Sequence, residues 1–458
     1  MKKFLMILPI ILLFVQSAFC ATILMTTSDY QTVGNTVVFN TETKAFNDKI
    51  LEVYQDSYAK TYENNLYILE AGQNSNLIKL DNTTYKLIYQ YSVEPLSNPH
   101  DIIFYKSNNT LKAYILRYNK PSIWIVNPEA ASDKDFKTGE IDISQWSDED
   151  GSPEAHIGFL YNGYVYVILQ RYNLVKYVSE TAYIIKIDPV TDKIVDMDPD
   201  TDGVNGIELI NKNPIKGSLI GNTLYLGGTV YFGEDIGIMS INLDDPMNSQ
   251  KRVLSEAAIG GTFADMKIFS ADMGIVSVYD QNWNMIPYYF NPTAGVMGNK
   301  LPVPDAGGGV VMTEGKIYVG SRNDVSPGLY IVDPVKNELI GEPYITSLPA
   351  YSIASTYAVD NTNIVTETEK PSIFSVDAAY PNPFNNSTTI NYTISKAANV
   401  KIEVYNTLGQ KVKTIADSYM MPGKHSVKWN AGSISSGNYY IRFSDGISIK
   451  TSKVSFMK

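Results

Sequence analysis

The stretch "IKIDPVTDKI", residues 185–194, is two short apolar runs hinged on Asp188 and Pro189. An Asp side chain accepts hydrogen bonds from the backbone two residues on, and Pro presets φ, so the stretch reads as a β-hairpin. The phrase recurs. It stands as VVFNTETKAF at Asn40, IKLDNTTYKL at Asp81, WIVNPEA at Asn127, INLDDPM at Asp245, YYFNPTAG at Asn291 and YIVDPVKNEL at Asp333. These are about seven copies at spacings of roughly 41 to 61 residues, the range of propeller blades with variable loops.

Upstream of most copies lies a second strand, as in LYILE (66–70), AYILR (113–117), VYVIL (165–169), LYLGG (224–228) and IYVGS (317–321). Upstream again lies an inner strand, as in HDIIFY (100–105), AHIGFL (155–160) and KGSLIG (216–221). Four strands repeated in this way predict an all-β fold, a seven-bladed β-propeller over residues 21–360. A β-sandwich or a solenoid is the alternative reading of the same strands. The ends bear on closure. ATILMTT (21–27) opens a unit with only three strands, and YSIASTYAV (351–359) is one strand too many. Lending that last strand to the first unit would close the ring and remove its exposed edges.

With 458 residues and 44% hydrophobic content, the chain can form two or three domains with real cores. Lys2 and Lys3, the apolar run Phe4–Val15 and the small residues near Ala18 and Cys20 predict a secretory signal peptide over residues 1–20, with an uncleaved anchor as the alternative. No later apolar run is long enough to cross a membrane as a helix. Cys20 is the single cysteine, so cleavage after it would leave an exported chain that relies on packing alone. Cys20 is also a candidate lipid acceptor, although Phe19 stands where such signals need a small residue. The net charge of -11 argues against nucleic-acid binding, while acidic loops suit calcium.

The segment IYVGSRNDVSPGLYIVDPVKNEL (317–339) resembles the YVTN-type propellers of bacterial surface proteins, a likeness carried by repetition across residues 21–360. It implies a secreted binding or scaffold role. Residues 361–378 are polar and read as a linker, and the remaining span, 379–458, alternates like the strands of a small Ig-like sandwich with Trp429, Tyr405 and Tyr439 facing inward. Here YPNPF (380–384), IEVYNTLGQKV (402–412), GKHSVKWN (423–430), SGNYYIRF (436–443) and the terminal KVSFMK resemble the C-terminal sorting domain of type IX secretion substrates. They equally resemble the related Ig-like domain of flagellar-hook-cap proteins. The matching positions are Tyr380, Pro381, Asn382, Pro383, Tyr405, Gly409, Val412, Gly423, Trp429, Gly437, Tyr439 and Lys453. The resemblance implies that the tail is an address read by outer-membrane secretion machinery, then removed or anchored. A plain Ig-like spacer is the alternative.

Two neighbouring repeats carry matching polar sets. His100 is followed by Arg117, Tyr118 and Asn119, and His156 by Arg171, Tyr172 and Asn173. Guanidinium groups and tyrosines in this pattern suit recognition of carboxylate, phosphate or sugar. The alternative is inheritance by repetition, with Arg and His satisfying buried carbonyls. In DPDTDGVNGIE, Asp198, Asp200, Asp202 and Gly203 follow the spacing of an EF-hand calcium loop, but Glu208 falls one position early and no helices flank it. SDEDGSPE (147–154) is a second acidic loop with a poorer pattern. DAGGGVV (305–311) reads as an inner-strand entry. Among the motifs of nucleophilic, zinc and phosphate-binding enzymes none is present. The sequence thus predicts an exported surface propeller that binds a partner protein or glycan. A propeller lyase or hydrolase, and a purely structural component, are its rivals. Calcium is the one cofactor indicated.

Overall fold

The computed structural model describes residues 21–458 apart from 108–109, 230–235, 357–373, 377–378, 395–397, 407–409, 421–422, 433, 445–448 and 458. The expected signal peptide with Cys20, most of the expected linker and Gly409 lie outside the described residues. Two compact units emerge, Met1–Val365 and Thr366–Lys458.

The first unit is a β-propeller. Its repeat is plain in the sheet that runs Ala155–Tyr161, Tyr164–Leu169, Tyr183–Asp188, Lys193–Val195, each strand antiparallel to the last. Seven sheets of this kind lie between Thr22 and Ser355 among the described residues, and their inner strands touch one another in cyclic order. The ring is closed by exchange. Ala350–Ser355, the last described strand of the propeller, is the inner strand of the first sheet and pairs with Thr22–Ser28, with Ile23 opposite Ser355 and Met25 opposite Ile353. Thr22 N donates to Thr356 Oγ1 at 2.8 Å, and Thr356 N returns a bond to Thr22 O at 3.0 Å.

Neighbouring sheets pack through glycines that face large side chains. A Cβ on Gly158 would stand 2.2 Å from Ile103 Cδ1, and one on Gly227 would stand 2.1 Å from the Phe263 ring. Such contacts leave no room for a methyl group, so the glycines fix how closely the sheets approach. The cores between sheets are built of buried apolar and aromatic side chains, as with Tyr67, Phe104 and Ile115 in one and Phe159, Ile184 and Leu226 in another.

The hinge phrase is one turn used repeatedly. Asp188 Oδ1 accepts from Val190 N at 2.8 Å, Asn40 Oδ1 from Thr43 N at 2.8 Å, and Asp333 Oδ1 from Val335 N at 2.9 Å. Four residues after the Asx the chain turns left-handed, at Lys44, Tyr85, Asp192, Gly295 and Asn337. The backbone N–H groups hold the carboxyls of Asp81, Asp188 and Asp333 below the usual carboxylate range. The fifth copy needs correction. The capping residue is Asn242, whose Oδ1 accepts from Asp244 N at 2.9 Å, and Asp245 lies beyond it. Two acidic residues and a proline in succession had pointed to the wrong member.

The second unit is a sandwich of a three-stranded and a four-stranded sheet sharing one core, in which Ile390, Trp429, Ile402, Tyr439 and Phe456 are buried. Tyr405 is instead half-buried, its hydroxyl donating to Glu403 Oε2 at 2.8 Å. The short strand Phe374–Val376, within the expected linker, pairs with Ser387–Ile394. The YPNPF segment fastens the final strand, Ile449–Phe456. Asn382 Nδ2 donates to Lys453 O at 3.1 Å while its Oδ1 accepts from Ser455 N at 2.9 Å. Phe384 adds backbone bonds to Ser455 and Met457, both at 2.9 Å.

Candidate functional site

The inner strands surround a cavity of about 290 Å³ on the propeller axis, to which every one of the seven sheets contributes. What faces it is decided by a repeated irregularity. Near the start of five inner strands the register slips by one residue, at Tyr351, His100, His156, Ile215 and Ala264. A bulge leaves its residue unpaired and re-aims its side chain. His100 and His156 are therefore true equivalents, as their sequence context suggests.

They also meet. Their Nδ1 atoms lie 2.7 Å apart, and His156 Nε2 is 3.1 Å from Ile215 O. A carbonyl only accepts, so His156 carries its proton on Nε2. Its Nδ1 is then the acceptor for His100 Nδ1–H, which leaves the His100 Nε2 lone pair without a hydrogen-bond partner among the described residues. Both imidazoles are kept neutral. Burial, then the neighbouring His156 and Lys60, hold His100 well below its ordinary value, and burial takes His156 down to about 4. Tyr118 stacks on His100 with centroids 4.2 Å apart, and Tyr58 and Tyr351 continue the aromatic wall. Burial raises the pKa of all three phenols, so they remain donors.

The charges in the cavity cancel locally. Lys60 Nζ lies 2.6 Å from Asp101 Oδ1, whose other oxygen accepts from Gly158 N at 2.9 Å. Lys216 Nζ lies 3.5 Å from Asp265 Oδ2, and that carboxylate raises the lysine's pKa. Gly307, Gly308 and Gly309 complete the wall, with Gly308 pressed against Ala350 of the closing strand.

The two Arg-Tyr-Asn tripeptides are not equivalent. Arg117 is paired with Pro99, whereas in the next sheet Ala155 is paired with Leu169, which places Arg171 two residues further on. Arg117 is buried and saturated by Glu94, Glu140 and Ser122, with its guanidinium over Trp124. Arg171 donates to Trp146 O at 2.9 Å and Thr181 O at 3.1 Å. Of the predicted set, the structure brings His100 and His156 together in the cavity wall with Tyr118 stacked on His100, and it uses both arginines to hold loops. Tyr118 hands its hydroxyl hydrogen bond to Gln170 at 2.5 Å. Asn119 N donates to Ser97 O at 3.1 Å, and Tyr172 and Asn173 lie in a short hairpin away from the axis. Sequence reasoning missed Tyr58, Lys60, Tyr351, Lys216 and Asp265. The signal was there in the shared position of each inner strand's opening residues.

The expected calcium loop does not converge. Asp198 accepts from Thr201 Oγ1 at 2.8 Å and Glu208 from the Tyr183 hydroxyl at 2.7 Å, while Asp200 and Asp202 point into solvent. Among the described residues the acids that do converge are Asp148, Asp150 and Glu154.

Residues 378–456 match the family of secretion system C-terminal sorting domains. No curated protein sequence matches the chain. Among solved structures, PorZ of Porphyromonas gingivalis, an essential bacterial surface component of the type IX secretion system, is 13% identical with a TM-score of 0.41. That comparison covers 95% of this chain and 58% of PorZ, so the chain spans less than two thirds of PorZ's length. A protein of Bacteroides fragilis NCTC 9343, named provisionally as a 6-phosphogluconolactonase, is 12% identical with a TM-score of 0.50, covering 74% of this chain and 99% of that one. The β-propeller domain of the Pyrococcus furiosus trilobed protease is 11% identical with a TM-score of 0.41, covering 70% of this chain and 92% of that one. These likenesses concern the fold. The tail is more specific: residues 378–456 are a type IX secretion C-terminal sorting domain, and the β-propeller that it follows is destined for the outer cell surface or the medium.

Proposed function

We propose that the chain is an exported surface β-propeller whose axial cavity binds the end of a glycan. One observation carries this reading: the cavity is uncharged overall yet crowded with directional groups. Lys60 and Lys216 are each paired with an acid, and the imidazoles are neutral. A carboxylate or phosphate would find no unpaired cation among these groups. A sugar offers hydroxyls to the phenols and imidazoles and an apolar face to the tyrosine rings. A volume of about 290 Å³ admits one or two sugar units rather than a folded partner.

The test is glycan-array screening followed by calorimetry on the purified protein, with Tyr351→Ala and His100→Gln for comparison. Each substitution is expected to weaken binding of the selected glycan about tenfold or more, the loss of one stacking or hydrogen-bonding partner. Unchanged affinity in both would remove the cavity from the binding site. Retention of surface proteins alone would favour a protein partner.

A lyase or hydrolase is a second reading, favoured by the His100 Nε2 lone pair, to which no group among the described residues donates. Turnover of the bound glycan that disappears in His100→Gln would establish it. Delivery through the tail's recognition by the outer-membrane machinery, followed by tail removal, is the remaining part of the proposal. Mature protein outside the cell should end near residue 375.

A further inference from the structure

The loop Ser147–Glu154 folds back on itself ahead of the fourth sheet's inner strand. One carboxylate oxygen from each of Asp148, Asp150 and Glu154 falls within 4.8 Å of the others. An acidic cluster alone says little, because exposed acids gather on many surfaces. Glu154 is different. Its side chain is fully buried, and neither of its oxygens has a hydrogen-bond partner. Asp148 Oδ2 is likewise buried without a partner. Glu154 thus sits buried within the cluster with neither oxygen accepting a hydrogen bond, an arrangement that is costly for a carboxylate unless a cation completes it.

From this geometry we infer that Asp148, Asp150 and Glu154 form a site for a hard divalent cation, best suited to calcium. The ligands are all oxygen, the preference of calcium and magnesium. Oxygens up to 4.8 Å apart can share a centre at calcium's ~2.3–2.6 Å ligand distances, whereas magnesium's shorter ~2.0–2.1 Å reach spans less. Charge points the same way. Asp150 and Asp148 act on Glu154 more strongly than Arg171 does, so the cluster favours a cation. Backbone bonds hold the loop in shape: Asp148 Oδ1 accepts from Asp150 N at 3.1 Å, and Asp150 Oδ1 and Oδ2 accept from Ser152 N at 3.0 Å and Leu174 N at 2.8 Å, so Asp150 would meet the ion through an oxygen that also accepts an amide. Without a cation the burial of Glu154, with Asp150 and Asp148 beside it, pushes its pKa up to about 9.

The bond to Leu174 gives the ion a structural consequence. It ties the acidic loop to the hairpin Tyr172–Ser179, on which Leu174, Val175 and Tyr177 are exposed. Binding would fix the position of that apolar tip.

The experiment is calcium titration of the full-length protein after dialysis against chelator, followed by calorimetry and thermal unfolding. One ion should bind, and millimolar calcium should raise Tm by about 2–5 °C, with magnesium less effective. Glu154→Gln and Asp148→Asn should each abolish the calcium heat and the Tm rise. Asp200→Asn, in the loop whose spacing resembles an EF-hand, should leave both unchanged. Glu154→Gln is expected to fold, since it keeps the shape of a buried side chain whose charged form burial already disfavours. Should it fail to fold, Asp148→Asn decides alone. The inference is overturned if calcium produces neither heat nor stabilisation, if the acidic-loop variants bind as the parent does, or if Asp200→Asn abolishes binding.

Discussion

His100 and His156 share a single proton bridge within a cavity wall, and that fixes how stability responds to acid. The groups facing them are Lys60 and Lys216, which oppose protonation, Asp101, which favours it, and the neutral ring of Tyr118. The folded-state pKa of His156 lies near 4 against an ordinary value of 6.5, so the unfolded chain binds more protons between those limits. The part of the stability that His156 contributes should be complete above pH 6.5 and should fall as pH drops towards 4, by an amount on the order of 2–3 kcal/mol, while Glu154 responds to pH in the opposite sense. Thermal unfolding across that range should give a stability that rises with pH more steeply in the parent than in His156→Gln, the difference being the histidine's share. A parent slope no steeper than the variant's would mean that the histidine is protonated in the fold. Packing offers a second test at this scale. Gly158→Ala places a methyl group 2.2 Å from Ile103 Cδ1, and denaturant unfolding should report a loss of about 1–3 kcal/mol. The histidines were legible as a pair because both open an inner strand. The arginines misled because their two-residue offset depends on where each strand bulges, which spacing along the chain does not reveal.

Among the elements, the Asx hairpin was the most legible, since one side chain and one backbone conformation define it at every copy. Its left-handed position makes a prediction. Gly295→Ala would put a side chain at φ +65° with its Cβ 2.7 Å from Val253 O, so a loss of about 1–2 kcal/mol is expected in thermal unfolding. The reading failed at the fifth copy because three candidate cappers stand within four residues, and only the strand's end selects Asn242. In the sorting domain the order of strands was legible, but the work of YPNPF was not. Asn382 clamps the last strand through two hydrogen bonds, so Asn382→Ala should loosen the domain by about 1–2 kcal/mol and retain more of the protein in the periplasm. Fractionation that finds secretion unchanged would assign recognition to other residues. The acidic loop ranked second by spacing, because convergence there comes from a turn and from burial that no regular interval announces.

At the scale of the whole molecule, the surplus strand at the end of the propeller and the missing one at its start were legible together, and they solve each other. Residues about 330 positions apart are neighbours in the first sheet, so the ring cannot close until nearly the entire propeller sequence is present. Deleting 350–355 should expose the inner edge of Thr22–Ser28, and the shortened protein is expected to unfold at a markedly lower temperature or to aggregate. The same clasp limits any maturation protease. Ala350–Ser355 and the Thr356 bonds belong to the propeller, while among the described residues pairing within the sorting domain begins at Phe374. A cut between them releases the address and leaves the ring fastened. A cut only a few residues earlier would unbuckle the cargo that it was meant to set free.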